Sequence, residues 1–281
     1  MKRFFIITSF GVILLVAVYF KLTNEGNLDN QLIDTARTIS SFIFGVLFAY
    51  YLDSSNEKHK LIVSNLRKDD ALMISIYQQV KYFDENIQRE IIKRMDSYLQ
   101  AQIDFVLSDY YLSGKEFMKL YIFMQDIETT NPKEKEAREK ILSLLDTSLE
   151  VRKNVEANAY NKITAGEWIT LFIFALIILL TTIGLYNGSI ESIVVTVLLS
   201  SGIIILLVLL DKIDNLRWRQ DEYIWLPLTL LFRDLDLLPY FPINIIKHRK
   251  LSNVKGMVRV AKYPHSYPDC SEKVIETMEM K

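Results

Sequence analysis

Cysteine is nearly absent: Cys270 is the single thiol in 281 residues, which excludes an intramolecular disulfide. The three histidines, His59, His248 and His265, are scattered. With one thiol and no histidine cluster, a structural zinc site has no ligand set. Glycine and proline are scarce, at 9 and 6 residues, so long disordered linkers are not expected. Net charge is close to zero, at −1, and no global field draws the chain to nucleic acid. No P-loop, glycine-rich dinucleotide turn, paired-histidine helix or nucleophile elbow occurs. No cofactor, metal or catalytic set is therefore expected, and an enzyme reading has no residue to rest on.

Apolar sequence is what the chain has in quantity. Half of it is hydrophobic, yet 24% is charged, a mixture that fits a membrane bundle carrying one extramembrane domain. The strongest stretch is residues 168–211, WITLFIFALIILLTTIGLYNGSIESIVVTVLLSSGIIILLVLLD. Two apolar runs, 168–186 and 193–210, flank a polar turn of Asn187, Gly188, Ser189 and Glu191. Each run has about the ~18–20 residues that cross a ~30 Å hydrocarbon layer as a helix. A membrane hairpin is predicted.

Two further spans are predicted upstream. Residues 4–20 follow Met1, Lys2 and Arg3 and end in Tyr19, Phe20 and Lys21 with no small-x-small cleavage site. The run also exceeds the usual apolar core of a secretory signal, so an uncleaved first span is expected. Residues 38–52, TISSFIFGVLFAYYL, form a weaker second span. Extending it back to Leu32 takes in Asp34 and Arg37 near one end. Ser41, Gly45 and Ala49 recur every four residues, a small-residue face that lets a neighbouring helix approach closely. Ordinary helix packing is one reading of this face. The other is a narrow pore lined by Thr38, Ser41, Phe42, Gly45, Phe48 and Asp53, with phenylalanine as a constriction and Asp53 as an acidic ring in an oligomer.

The segment between spans two and three, residues 53–166, reads as a helical domain. Apolar residues recur at helical spacing over 61–112, with Ser113 and Gly114 as the predicted break. A second helix is predicted over 115–129. A third starts with Asn131 as N-cap and Pro132 in the first turn, and runs to about residue 163. No alternating strand pattern is evident. The acidic pairs Asp69 and Asp70, Asp84 and Glu85, and Asp234 and Asp236 are expected on solvated helix faces. Beyond span four, Arg217, Trp218 and Arg219 fit a membrane boundary. Residues 222–236 are predicted as an amphipathic helix, with Pro227 marking a kink or a start. From Ile243 a basic, solvated tail is expected, contact with anionic headgroups being the alternative.

Basic residues orient the spans. Lys2 and Arg3 precede the first; Lys58, Lys60, Arg67 and Lys68 follow the second. Lys153 and Lys162 precede the third, and Lys212, Arg217 and Arg219 follow the fourth. The two opposite loops hold only Lys21 and Arg37. Both termini and the helical domain are thus expected in the cytoplasm, with the chain multi-pass in an inner (plasma) membrane. The expected fold is an all-α membrane protein of four transmembrane helices, with a cytoplasmic helical domain inserted between spans two and three. Its expected parts are residues 1–52 (spans one and two), 53–166 (helical domain), 167–211 (hairpin) and 212–281 (amphipathic helix and basic tail).

This order of elements has a counterpart. The GVLFAYYL of span two, Lys68-Asp69-Asp70-Ala71 after it, and Trp168 opening span three resemble prokaryotic bestrophin-like membrane proteins. The resemblance covers roughly residues 38–236. It implies an oligomeric ion channel, a pentamer being one option, with span two around the pore. The acidic calcium clasp of animal bestrophins has no match that can be placed here, so calcium gating is not implied and the sign of the ion stays open. The expected function is a bestrophin-like ion channel. The alternative is a membrane-anchored interaction or scaffold protein whose helical domain binds a cytoplasmic protein, without a pore. The expected partners are the lipid bilayer and further copies of the chain, not nucleic acid.

Overall fold

Nothing in the sequence from Val46 to Val80 is glycine or proline, and α1 (Asn30–Val80) runs through it as one 51-residue helix. At 1.5 Å per residue it is about 76 Å long, more than twice a hydrocarbon layer. The predicted second span and the polar helix after it are therefore a single element. The computed structural model describes residues 30–185, 189–216, 226–243, 246 and 256–280. The predicted first span, residues 4–20, lies outside them, as do Asn187, Gly188, Arg217, Trp218 and Arg219.

The first helix break falls at Lys81–Asp84, earlier than the predicted break at Ser113 and Gly114. There the Asp84 side chain accepts from the backbone N–H groups of Asn86 (2.9 Å) and Ile87 (3.1 Å), capping α2 (Glu85–Asp104). A 3₁₀ turn, Leu107–Ser113, leads into α3 (Gly114–Asp126). Next, α4 (Pro132–Tyr160) starts as predicted, with Asn131 accepting from Glu134 N and proline in the first turn. A capping box between Thr164 and Glu167 opens α5 (Ala165–Gly184). Ser189 caps α6 (Ile190–Asp214). Pro227 is the second residue of the described part of α7 (Leu226–Asp234). The chain is mostly helical. Among the described residues, three helical stretches, in α1, α5 and α6, are long and apolar enough to cross a membrane.

The chain divides into two compact units, one from the described residues of 1–57 and 162–215, the other from 58–161 and those beyond 215. In the first, Phe44, Phe48 and Tyr51 of α1 pack with Trp168, Leu171 and Ala175 of α5 and with Ile203, Leu207 and Leu210 of α6. The Phe44 and Phe48 rings stack at 6.0 Å. Hydroxyls within these apolar helices bond back along their own helix: Thr182 to Ile178 O (2.7 Å) and Ser201 to Val197 O (2.7 Å). They need no polar neighbour.

The second unit is a helical layer closed by a sheet. Met73, Ile76 and Val80 of α1 meet Ile91, Met95 and Leu99 of α2, Phe117 and Leu120 of α3, and Ile141 and Leu145 of α4. Leu228, Leu231 and Phe232 of α7 complete this core. The segment predicted from Ile243 as a basic solvated tail instead supplies, in its described part, two strands, β2 (Gly256–Lys262) and β3 (Val274–Met280), of a three-stranded sheet whose first strand, β1 (Tyr240–Pro242), precedes it. β1 runs parallel to β2, and β3 antiparallel to it. The cause is β2, which buries apolar side chains on both faces. Val258 and Val260 pack with Phe241, while Ala261 joins the helical core beside Tyr240.

A polar seam fastens this sheet and its β2–β3 connection to α2 and the 3₁₀ turn. Asp104 accepts from the hydroxyls of Tyr240 and Tyr263 (2.6 Å each) and from Lys273 Nζ (2.7 Å). Arg259 forks onto Asp96, and Tyr267 donates to Asp109.

Candidate functional site

At 100° per residue, Thr38, Ser41, Phe42, Gly45, Ala49 and Asp53 fall within about 120° of one another on α1. All six are exposed on the single chain. Among the described residues, the small-residue face of Ser41, Gly45 and Ala49 packs against no other helix: a Cβ added at Gly45 would meet nothing within 4 Å. The buried stripe lies elsewhere, at Ser40, Phe44, Phe48 and Tyr51. Phe42 and Phe48 are therefore separated. Phe42 is 73% exposed, whereas Phe48 is 8% exposed and belongs to the aromatic core. Thr38 turns its hydroxyl back to Asp34 O (2.9 Å), which leaves the oxygen able to accept.

The second polar constellation is buried in the helical unit, well beyond the apolar part of α1. Asp69, expected on a solvated face, is only 2% exposed. Its carboxylate accepts from Tyr98 Oη (2.6 Å) and Gln102 Nε2 (2.9 Å) of α2 and from Ser148 Oγ of α4. Arg152, one turn beyond Ser148, donates to Tyr98 Oη (2.8 Å) and Ser113 Oγ (3.1 Å). Its guanidinium also lies 4.7–5.2 Å from the ring centroids of Tyr98, Tyr110 and Phe117. Burial pushes the Asp69 carboxyl up, against the hydrogen bonds from Ser148 and Tyr98 and the Arg152 charge. Burial alone would lower Arg152; Tyr98, Tyr110 and Asp69 more than restore it, so the guanidinium stays cationic.

Asp70 turns the other way, toward Arg67 at 3.1 Å. Burial, opposed by Arg67, raises its carboxyl from 3.8 to about 6. Arg67, Asp70, Gln102 and Tyr110, with Leu66, Leu107 and Leu228, line a cleft of about 20 Å³, room for a single water. The buried Tyr110 hydroxyl on its wall meets no partner in hydrogen-bond geometry among the described residues. Tyr98 is close enough to act on it, but the Tyr98 hydroxyl is already engaged by Asp69 and Arg152. A cleft of this size and lining suits a bridging water and not an organic substrate.

No group of three or more histidine, cysteine or acidic side chains able to hold a metal occurs among the described residues. Burial pushes the Cys270 thiol up to about 11, away from nucleophile chemistry. The acidic positions predicted on solvated faces divide. Asp84 caps a helix, Asp236 accepts from Tyr77 (2.9 Å), and Asp69 anchors the buried network. The partners of Asp69 are not among the residues expected from the sequence, yet a signal exists. Ser148 and Arg152 continue the apolar stripe Ile141, Leu145, Val155 at helical spacing, where a polar residue must be buried. Set against family models, curated proteins and solved structures, the chain matches none.

Proposed function

We propose that the chain is the subunit of an oligomeric ion channel of bestrophin-like type, with α1 around the pore. One observation carries this: Thr38, Ser41, Gly45 and Asp53 share an exposed face of an otherwise apolar, span-length helix stretch. Lipid does not favour such a stripe; water or a neighbouring helix does. Phe42 stands on the same face as the constriction, and Asp53 supplies a ring of acid at its end. Phe48 belongs to the scaffold. The fuller arrangement in this proposal has four spans in a plasma membrane, with both termini and the helical unit in the cytoplasm. It rests on the bias of lysine and arginine between the loops. The buried Asp69–Arg152 network then acts as the rigid centre of the cytoplasmic unit.

Purified protein in planar bilayers tests the proposal. The expected result is a stable oligomer that passes discrete single-channel currents. A monomer, or an oligomer silent toward both cations and anions, would overturn it and leave the membrane-anchored interaction protein as the reading. A reporter fused at Asn187 tests the orientation: it should report the side opposite the cytoplasm.

A further inference from the structure

β3 is the edge of the sheet, and among the described residues it pairs with β2 alone. Residues 274–279 are exposed on both of its faces, Val274, Ile275 and Met278 among them. An edge of this kind is normally blunted by proline, by a bulge or by unpaired charge. β3 contains no proline, and its register with β2 runs unbroken from Gly256–Met280 to Lys262–Val274. Of its acids, Glu276 is already neutralised by Lys262 at 2.6 Å. The edge is also held still. Lys273, immediately before it, is tied to Asp104, and β2 is fixed by Arg259 on Asp96. A pre-ordered strand loses little further entropy when another strand docks.

We propose that β3 docks on β3 of a second copy, so that two three-stranded sheets join antiparallel across a two-fold axis. The strand's own sequence names the occupant. With Glu276 at the centre of the pairing, Lys273 faces the second copy's Glu279, Val274 faces Met278, and Ile275 faces Thr277. Apolar and β-branched side chains meet, the pairs that stabilise neighbouring strands, and Glu279 comes beside Lys273, whose charge is shared with Asp104. The two Glu276 side chains face each other, each with its Lys262 beside it. Moving the centre by one residue to Thr277 destroys the match, because Ile275 then faces Glu279 and Glu276 faces Met278. The pairing is isologous, as a two-fold contact requires. It uses residues unrelated to the α1 face and stands whether or not that face lines a pore.

Cysteine crosslinking of the full-length protein in nanodiscs tests the register. On a Cys270→Ser background, Glu276→Cys places two thiols on directly opposed residues, whose Cα atoms lie about 4.5–5.5 Å apart in an antiparallel pair, within disulfide reach. Thr277→Cys places them off register. The expected result is oxidation to a covalent dimer at 276 at least tenfold faster than at 277. Glu279→Lys added to Glu276→Cys should slow crosslinking several-fold by setting lysine against Lys273. A contact through α1 alone gives no reason for position 276 to react faster than 277. Equal rates at 276 and 277, faster reaction at 277, or no dimer at either position would each overturn the proposal. Melting curves of the reduced variants, expected to match the parent, show that they fold.

Discussion

Arg259 donates through Nη1 and Nη2 to the two carboxylate oxygens of Asp96, at 2.6 and 2.7 Å, across 163 positions of chain. The same guanidinium bonds Leu238 O at 2.7 Å and lies over the Phe232 ring. One side chain thus joins the sheet, the segment before β1 and helix α2. Arg259→Ala should cost about 3–5 kcal/mol, because it leaves a largely buried carboxylate without its cation, with Gln100 Nε2 as its remaining donor. Arg259→Lys should not rescue it, since an ammonium cannot fork. The double variant with Asp96→Ala should lose less than the sum of the singles. Denaturant unfolding in detergent gives all three numbers.

Asp70 predicts a pH dependence. Its folded value of about 6 lies above the 3.8 of the free carboxyl, so the folded state holds this proton more tightly than the unfolded chain. The stabilisation is full below the unfolded value and is lost as pH rises through the folded one. The shift corresponds to at most roughly 3 kcal/mol. Thermal melts of the parent should lose stability between pH 4.5 and 7 relative to Asp70→Asn. Parallel curves would remove the effect.

Arg152 is predicted to be irreplaceable by lysine. Its planar group donates to both Tyr98 and Ser113 while facing three aromatic rings, and an ammonium reproduces only the charge. Arg152→Lys should cost about 2 kcal/mol, and Arg152→Met about 3–5 kcal/mol by removing the cation that pairs with Glu156 and whose field reaches Asp69. Asp69→Asn combined with Arg152→Met should recover part of that loss. Urea midpoints provide the check.

Phe42 and Phe48 separate a pore effect from a folding effect. Phe48→Ala should lower stability by about 3 kcal/mol, as a large-to-small change in a packed cluster does. Phe42→Ala, on the exposed face, should leave the melting temperature unchanged and raise the single-channel conductance. An unchanged conductance in a well-folded Phe42→Ala protein would remove the constriction.

Local chemistry made much of the helical framework legible. Asn131 with Pro132, and the uninterrupted apolar runs of α5 and α6, announce themselves within a few residues. Thr164 and Glu167 carry a cap signal of the same kind, although the span was predicted to begin only at Trp168. What stayed hidden depends on partners far along the chain. Asp69 beside Asp70 looks like a solvated pair, and only the stripe Ile62, Leu66, Asp69, Met73, Ile76 shows that one of the two must turn inward. β2 reads as tail because its burial is supplied on one face by the helical core and on the other by Phe241. The exposed α1 face is visible as a pattern, but which of its phenylalanines pack within the chain emerges only when α5 and α6 are in place.

The helical core draws its residues from Met73 to Leu145 and again from Leu228 to Ala261, with the predicted hairpin between them in the chain. Synthesis therefore delivers the first four walls of that core, then a long stretch of membrane helix, and only afterwards the closing wall. At about 5–20 residues per second, the nascent helical unit waits several seconds with an open apolar groove while the hairpin is inserted. In the proposed membrane arrangement, insertion of α5 and α6 and closure of the core are thus ordered events in biogenesis. A ribosome that stalls after Asp214 leaves behind a membrane-tethered protein with its greasy interior uncovered, which is the species that quality-control proteases and holding chaperones would meet.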